Sequence, residues 1–464
     1  MPAPAWSNVS PSFESFLAES DPTDTREAIV IFRPGAPSPN PRGRIRELKE
    51  RLAAIKANAK AAKPLVDRLA SEYPTAAAKL QSDAKGLGLS VRSVAGANLP
   101  VAVVTVTAAT LPALAEQPDV VAILPNQSVH VIRPSRVDYG RLASGEQKAG
   151  TTWGLRELGV PEFWKKTKGA GVRVAVLDTG VHADHPALAG RLVKDGFAVF
   201  DGCGRQIKAD PPFDGDSHGT HVCGTIVGGT DADGVAIGVA PEAELLAGAV
   251  LLGQGSLVAL VTSMVWAVER GANVINMSLG LSHYEPMFED VLRLLLQYDV
   301  VPVVAVGNRR HGNLDSPGSS PQVVGVGALE RFKGKKTEIA EFSGGASLVL
   351  PAEGGTGNVT VTKPDVVAPG TQIWSCVPPG PGAGGTQSYA FMDGTSMATP
   401  HVSGVVALLM AAFPTAPALD IVRAVRETAW HPDPTRRPDN RWGHGLVQLQ
   451  DAFKLLKEQH APAG

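Results

Sequence analysis

Three residues in separate segments could act together on a carbonyl carbon. Asp178 opens the sequence Asp-Thr-Gly, His218 opens His-Gly-Thr-His, and Ser396 is the third residue of Gly-Thr-Ser-Met-Ala-Thr-Pro-His. A serine hydroxyl is a weak nucleophile until a nearby base takes its proton, and that base needs an acid that fixes its tautomer. The three residues are therefore candidates for the nucleophile, the base and the acid of a covalent acyl-transfer reaction.

The segments around these residues predict the elements that would position them. The apolar run at residues 171–177 is typical of a buried parallel strand, and it places Asp178 at the carboxyl end, where open α/β sheets carry functional groups. Small and apolar residues after His218 and after Ser396 predict two buried helices that begin at these side chains. Each residue alone also has a structural explanation, since Asp begins turns and Ser caps helices.

A further apolar run, residues 300–306, ends at Gly307 and Asn308. The motifs, in this chain order, resemble those of the subtilisin-like serine proteases. The resemblance implies an α/β fold, with a doubly wound, mostly parallel sheet and helices on both faces. It also implies that His218 is the general base and that Asn308 donates a side-chain hydrogen bond to the oxyanion. A turn asparagine is the structural alternative.

The same resemblance assigns one wall of a substrate cleft to residues 274–280. Ser278, Leu279 and Gly280 are expected to bind an extended peptide by strand addition, and Gly307 is expected to lie against the substrate as well. A glycine at position 280 lets a substrate backbone approach closely.

Cleavage specificity is expected to depend on Asp315, in the loop after the asparagine. The resemblance places this residue on the floor of the primary specificity pocket, and a carboxylate there favours Arg or Lys before the scissile bond. The alternative left open is that Asp315 begins the Ser-Pro turn that follows it and points into solvent.

No cofactor is expected to be required, and no metal ligand is assigned. A zinc site at His218 and His221 is disfavoured, because no helical Glu accompanies them as in zinc proteases, so His221 is expected to be a packed neighbour. Structural calcium at residues 230–234 is an open alternative to a solvated turn. Cys223, one turn beyond His218, is either a buried structural thiol or one that mercurials reach.

The residues before the catalytic motifs predict a second, smaller domain. Residues 27–132 read as strand, helices, strand, short helix and strand, with the helices at 44–63 and 64–84. This small α+β domain resembles the inhibitory propeptides of subtilisin-like proteases, which implies that it shields the cleft as an intramolecular inhibitor. An unrelated N-terminal domain is the alternative. Residues 1–26 are predicted to be an extension.

Residues 133–150 are predicted to be a cleavable linker, and residues 151–464 the catalytic domain. The linker contains four cationic side chains, Arg133, Arg136, Arg141 and Lys148. An enzyme that prefers basic residues could therefore process itself between residues 133 and 150.

Within the catalytic domain, helices are expected at residues 256–270, 286–298, 396–413, 417–428 and 448–458. Two segments depart from the compact family pattern: an inserted hairpin at 344–363 and a Pro/Gly loop at 378–385.

Composition and net charge narrow the classes of molecule that the chain is expected to bind. The chain has 464 residues, a net charge of −2 and a pI of about 6.6, so neither nucleic acid nor an anionic membrane is an expected partner. Residues 1–19 lack a cationic start and a continuous apolar stretch, which predicts no signal peptide. The cysteines, Cys203, Cys223 and Cys376, are odd in number. Both observations predict a reducing, cytoplasmic location, with a non-standard export route left open.

The sequence thus predicts a serine endopeptidase that is made as a self-inhibited zymogen and acts on protein or peptide substrates. The rival hypothesis is a catalytically silent, self-inhibited binding protein that retains the fold.

Overall fold

The computed structural model of the chain describes residues 7–21, 24–32, 90–95, 101–118, 120–137, 139–140, 142–253, 255–286, 288–331, 337–351, 357–379 and 388–460. The helices predicted at 44–63 and 64–84, Arg141 and most of the Pro/Gly loop lie outside these residues.

The N-terminal part contains a four-stranded antiparallel sheet with short helices. Its strands, in the spatial order β2-β3-β1-β4, are β1 (Arg26–Phe32), β2 (Ser90–Ala95), β3 (Val101–Val106) and β4 (Val120–Pro125). Two helices, α1 (Glu14–Glu19) and α2 (Thr110–Ala115), cover one face of this sheet. The structure thus has the α+β organisation expected from the sequence, with β2 as an additional strand.

The segment before β1 is part of this unit and not a separate extension. Phe13 and Phe16 lie in the same apolar cluster as Ile123 of β4. The backbone N–H of Ser10 donates to Ile123 O at 2.9 Å, and the N–H of Ile123 donates to Asn8 O at 2.8 Å. The predicted boundary at residue 26 is therefore wrong for the described residues 7–21, because their apolar side chains complete the core of the small domain.

The remaining strands build the larger part of the molecule. They are β5 (Ser128–Val131), β6 (Ser135–Arg136), β7 (Arg173–Asp178), β8 (Leu192–Phe200), β9 (Gln206–Ile207), β10 (Glu244–Ala249), β11 (Gly255–Ser256), β12 (Val274–Met277), β13 (Leu279–Gly280), β14 (Val301–Ala305), β15 (Val324–Arg331), β16 (Thr337–Ile339), β17 (Ala346–Pro351), β18 (Asn358–Lys363), β19 (Val366–Pro369), β20 (Ile373–Val377) and β21 (Ser388–Asp393).

Nine of these strands form the central sheet. Their order is β16-β15-β14-β12-β7-β10-β8-β9, with β19 also paired to β15. All neighbours are parallel except the edge strands β16 and β9. Buried parallel strands explain the continuous apolar runs in the sequence.

The helices of this part are α3 (Ser144–Ala149), α4 (Trp153–Glu157), α5 (Val160–Phe163), α6 (His218–Val227), α7 (Leu257–Glu269), α8 (Phe288–Gln297), α9 (Thr395–Ala412), α10 (Ala418–Glu427) and α11 (Leu449–Gln459). Helices α7 and α8 pack on one face of the sheet, and α6, α9 and α10 pack on the other. The doubly wound α/β fold is therefore confirmed. The five predicted helices are found with ends shifted by one or two residues.

Helix α9 is long and apolar enough to cross a membrane, but 89% of it is buried inside the protein. It is thus a core helix of the fold. The predicted inserted hairpin is also present, because β17 and β18 pair antiparallel.

The predicted strand at 120–132 is divided at Asn126 and Gln127. Its first half, β4, belongs to the N-terminal sheet, whereas its second half, β5, lies between β11 and β13. At the break, Leu257 N–H donates to Gln127 O at 2.8 Å and Val258 N–H donates to Asn126 Oδ1 at 3.2 Å. The break therefore caps the first turn of α7, whose N–H groups have no acceptors within the helix.

A buried ionic cluster ties the central sheet to α10. Lys363, 1% exposed, bonds to Asp365, and the other oxygen of that carboxylate lies 3.0 Å from Arg426 Nη2. Gly325 N–H also donates to Asp365 at 2.7 Å. The carboxylate thus compensates two cations, and its removal would leave Lys363 charged and buried without a counter-ion.

We expect Asp365→Ala to lower the free energy of unfolding by about 3–5 kcal/mol, because it breaks a buried pair on one side only. Denaturant titration in a Ser396→Ala background, which prevents self-digestion, measures this. Asp451→Ala, which removes a partner of the exposed Lys454, is the control and should change little. Equal losses of unfolding free energy in the two variants would show that the buried cluster stabilises the fold no more than an exposed ion pair.

Candidate active site

Asp178 and His218 meet at the carboxyl edge of the sheet, where β7 ends and α6 begins. The Nδ1 atom of His218 lies 2.7 Å from Asp178 Oδ1, and the two side chains are 2% and 1% exposed. The same oxygen accepts the N–H of Thr179 at 2.7 Å. The carboxylate makes Nδ1 the donor, so Nε2, which has no hydrogen-bond partner among the described residues, is left to accept a proton.

Two glycines allow this approach. Gly180 has a φ of +118°, and a Cβ on Gly219 would lie 2.1 Å from Gly180 O. The turn after β7 and the first turn of α6 therefore touch through their backbones. This contact gives a steric reason for a glycine directly after His218 and for the glycine of Asp-Thr-Gly.

Neighbouring carboxylates set the proton affinity of the histidine. Burial lowers the pKa of His218, but the negative charges of Asp178, Asp214 and Asp216 outweigh burial and hold the pKa above its usual value. The ring is therefore a stronger base than a free histidine, and it stays protonated up to a higher pH.

The second histidine of the motif is a packed neighbour. The Nε2 atom of His221 lies 3.1 Å from the carbonyl oxygens of Ile373 and Ala390, and burial lowers its pKa to about 3. Within the described ranges, no group of three or more His, Cys, Asp or Glu residues could hold a metal ion. Cys223 is fully buried and its pKa is raised by burial, which favours a structural thiol over one that reagents reach.

Asn308 is oriented by the residue before the serine. Its Oδ1 accepts hydrogen bonds from the N–H of Thr395 at 2.9 Å and from Thr395 Oγ1 at 2.8 Å. These two donors fix which side of the amide is oxygen, so Nδ2 points into the cleft. There it donates to the carbonyl oxygen of Arg133 at 3.0 Å.

Residues of the chain itself lie in the cleft as a substrate would. Strand β5 pairs antiparallel with β13, with His130 opposite Gly280 and Val131 opposite Leu279. On its other side β5 pairs with β11. The N–H of Ile132 continues the ladder to the Ser278 carbonyl at 3.3 Å. The strand-addition role expected of the 278–280 wall is thus filled by a segment of the same chain.

The serine hydroxyl contacts this segment. Ser396 lies in the first turn of α9, is fully buried, and donates from Oγ to Ile132 O at 2.8 Å. The Asn308 amide holds the next carbonyl, that of Arg133. Two adjacent carbonyls are therefore held separately by the candidate nucleophile and by the candidate oxyanion donor.

Beyond this point the chain continues along the opposite side of the cleft. Strand β6 pairs with β21, Arg133 lies 3.3 Å from Asp216, and the hydroxyl of Tyr139 donates to Asp393 at 2.6 Å. A Cβ on Gly394 would lie 3.2 Å from Pro134 Cβ. The first residues of the predicted linker are therefore docked on the far side of Ser396, and residues 128–132 of the predicted N-terminal domain are docked on the near side.

The pocket beside Ile132 does not carry the net negative charge that the sequence analysis expects from Asp315. If Gly280 carried a Cβ, that atom would lie 3.6 Å from Ile132 Cδ1 and 2.9 Å from Asp315 Cβ. A Cβ on Gly307 would lie 2.4 Å from Asp315 Oδ2. Asp315 thus lies at this pocket, 2% exposed, and not in solvent.

Its carboxylate is already paired. Arg309 donates from Nε and Nη2 to Asp315 Oδ1 at 2.9 and 2.6 Å, and from Nη2 to the carbonyl oxygens of Ser282 and Leu314. Burial raises the pKa of Asp315 and the bonds from Arg309 oppose that rise. The expectation of an unpaired carboxylate on the pocket floor is therefore wrong, because the guanidinium of Arg309 already pairs with Asp315. The side chain of Ile132 lies beside this ion pair.

In the candidate calcium loop, both carboxylate oxygens of Asp231 accept hydrogen bonds from protein donors. Asp231 Oδ1 accepts the N–H groups of Asp233 and Val235, and Oδ2 accepts the Trp374 indole N–H at 3.0 Å. These bonds are those of a side-chain-stabilised turn. Calcium binding at residues 230–234 stays an open alternative.

Two residues at the site were not predicted from the sequence. Ile132 was included in the last strand of the small domain, and Arg309 follows Asn308 without any motif. The signal available in the sequence was the positive charge of Arg309, which lies in one loop with Asn313 and Asp315, four and six residues before them. Its pairing depends on the loop's path, which sequence spacing does not give.

Comparison with known proteins agrees with this geometry. The model of the subtilase family of peptidases matches residues 169–445, which include Asp178, His218, Ser278 and Asn308 as well as Ser396. Fervidolysin of Fervidobacterium pennivorans is 31% identical over 362 residues, covering 72% of this chain and 48% of the relative. An intracellular serine protease of Paenibacillus polymyxa is 36% identical, covering 61% of this chain and 78% of the relative.

Subtilisin Savinase of Lederbergia lenta is 33% identical over 306 residues, 65% of this chain and 98% of that protein. The crystal structure of fervidolysin, described as a keratinolytic enzyme related to subtilisin, superimposes with a TM-score of 0.65 at 26% identity, covering 93% of this chain and 61% of that one. The chain thus spans about half the length of fervidolysin.

We expect Asn308→Ala to lower kcat for peptide hydrolysis by about a hundredfold or more with little change in KM, because the amide acts mainly on the oxyanion. Steady-state kinetics on a short peptide measure both constants. A large rise in KM with unchanged kcat would contradict this role.

Asp216→Asn should shift the acid limb of the kcat/KM profile to lower pH by roughly a few tenths of a unit, because it removes a charge that raises the pKa of His218. In the wild type, activity should fall as the pH drops through the raised pKa, since only neutral His218 accepts the proton. Asp451→Asn, an exposed site on α11, serves as the control. A shift in the opposite direction would exclude electrostatic support by Asp216.

Proposed function

The chain belongs to the subtilase family of serine peptidases, and on that premise we propose that it is a serine endopeptidase made as a self-inhibited zymogen. The observation that carries the proposal is the placement of the chain's own residues 128–136 across the cleft, with the Ile132 carbonyl at the Ser396 hydroxyl. Fervidolysin is described as keratinolytic and related to subtilisin, and that description supports a protein substrate for this chain too.

In the proposed reaction, Ser396 Oγ attacks the carbonyl carbon of an extended peptide. His218 Nε2 takes the hydroxyl proton, and Asp178 stabilises the imidazolium through Nδ1. Asn308 Nδ2 and the backbone N–H at the start of α9 hold the oxyanion. His218 then gives the proton to the leaving amine, and water repeats the sequence on the acyl-enzyme.

The bond proposed for self-processing is Ile132–Arg133. Ile132 is buried beside Gly280, and its N–H continues the substrate-like ladder, whereas the Arg133 side chain is 74% exposed on the far side. The next bond, Arg133–Pro134, would need a prolyl nitrogen as leaving group. Attack requires that the Asn308 amide move from the Arg133 carbonyl to that of Ile132. This site lies at the boundary of the predicted 133–150 range and follows no basic residue.

The proposed preference before the scissile bond is accordingly an aliphatic side chain. An extra cation in the pocket would face Arg309 as well as Asp315, so the pair cancels the attraction that a lone carboxylate would exert. This proposal replaces the sequence-based expectation of Arg or Lys.

We also propose that the enzyme acts in the cytoplasm. Two relatives are named intracellular serine proteases, and Cys203, Cys223 and Cys376 are free thiols, as expected in a reducing compartment. The proposed partners are a protein or peptide substrate and the chain's own N-terminal domain.

Purified wild-type protein should yield a fragment whose N-terminus is Arg133, and Ser396→Ala should remain intact, because the hydroxyl is the nucleophile. Mass spectrometry and N-terminal sequencing measure both. Processing of the isolated Ser396→Ala protein would contradict the nucleophile assignment. Failure of a fluorophosphonate probe to label Ser396 after the N-terminal domain is removed would support the silent binding protein instead.

Arg309→Met should raise the ratio of kcat/KM for a Lys peptide over the matched Ile peptide by about tenfold or more, because it leaves the buried Asp315 charge unpaired. Adding Asp315→Asn to that variant should restore the aliphatic preference. Arg310→Met is the control, since Arg310 pairs with Glu341 at the surface. A wild-type preference for Arg or Lys would show that the pair does not neutralise the pocket.

A further inference from the structure

Glu285 is a buried acid outside the catalytic machinery. It lies between β13 and α8 and is 1% exposed. Its Oε2 atom accepts hydrogen bonds from Ser10 Oγ at 2.9 Å, from Ser12 Oγ at 3.1 Å and from Gln127 Nε2 at 2.8 Å. A carboxylate of the catalytic domain is thus covered by three donors that all precede Ile132.

The donors come from two separate stretches of the N-terminal unit. Gln127 belongs to the break between β4 and β5, whereas Ser10 and Ser12 precede the predicted inhibitor domain. The serines are held in place, because the Ser10 N–H bonds to Ile123 O and the neighbouring Phe13 is fully buried. The segment therefore presents its two hydroxyls as part of a folded surface.

This contact is independent of the cleft. The strand β5 engages β13 and β11 through backbone pairs, and those pairs offer the same hydrogen bonds to any extended peptide. The Glu285 contact instead requires hydroxyls and an amide at fixed positions on a preformed surface. Bonds between neutral donors and a carboxylate are among the stronger hydrogen bonds in proteins.

We propose that Glu285 is a second docking site of the N-terminal domain, specific for the segment that carries Ser10 and Ser12, and that it keeps the fragment bound after the Ile132–Arg133 bond is cut. The inference rests on the proposed self-processing. Cleavage removes the covalent tether but none of the three bonds to Glu285. Because both sites lie on one folded fragment, each raises the effective concentration of the other.

The test of retention uses the active full-length chain. After self-processing, release of the N-terminal fragment is followed by size-exclusion chromatography and by the rise of activity on a short peptide. Glu285→Gln, and separately the double variant Ser10→Ala/Ser12→Ala, should each speed release by about tenfold or more. Combining them should add less than the sum of the two effects, since both act on the bonds between position 285 and the two serines. Glu458→Gln and Ser15→Ala, two exposed positions, are the matched controls.

A second arm tests the contact without cleavage. In the uncleaved Ser396→Ala chain, Glu285→Gln should speed amide hydrogen exchange in residues 7–13 relative to Glu458→Gln. Equal exchange, or release rates like those of the controls in processed protein, would overturn the proposal. If the active chain is not processed at all, the proposed processing and the retention role both fail, and the exchange measurement still decides whether Glu285 docks the segment.

Discussion

The parallel register of three central strands fixes the geometry on which the site depends. Strand β12 pairs with β7 and β14 so that Val274 is aligned with Val174 on one side and Val301 on the other. This alignment brings Asp178, Ser278 and the turn to Asn308 to one edge of the sheet. The smallest slip that keeps the same faces buried is two residues, which would move a strand end by roughly 7 Å. Ser278 and Asn308 could then no longer both contact the start of α9, where they now bond to Ser396 and Thr395.

The features that could be predicted from the sequence are those that a local pattern of residues determines. Apolar runs of strand length and helical apolar periodicity located β7, β14 and α9, and the motifs at their ends identified the candidate site residues. The division of residues 120–132 could not be predicted, because both halves are apolar and only their partners differ: β4 pairs within the small domain and β5 within the cleft. The pairing of Arg309 with Asp315 was missed for the same reason, since it depends on how a loop folds back on itself.

Asp178, Asp315 and Glu285 are buried carboxylates that each accept hydrogen bonds from protein donors, and the identity of the donor decides what each can do. Asp178 is paired with a histidine that titrates, so it can support proton transfer. Asp315 is paired with a guanidinium that does not, so its charge is not available to a substrate. Glu285 is covered by donors from the N-terminal part, so its surroundings would change on the proposed release of that part. The sequence shows three acids, and the structure distinguishes them by their partners.

The cleft alone gives little reason for the chain's own segment to remain there. The ladder to β13 consists of backbone pairs that any extended peptide can form, and the Ile132 side chain lies close to Gly280, which offers no side chain to select it. If the N-terminal part is the proposed inhibitor, its selectivity comes from contacts outside the cleft. Ile29 and Leu124 of the small sheet share an apolar cluster with Leu257 and Phe288 of the helices behind the cleft, and the break at residues 126–127 caps one of those helices. In the proposed zymogen, inhibition thus depends on the folded domain that holds the segment, and cutting the Ile132–Arg133 bond alone would not free the enzyme.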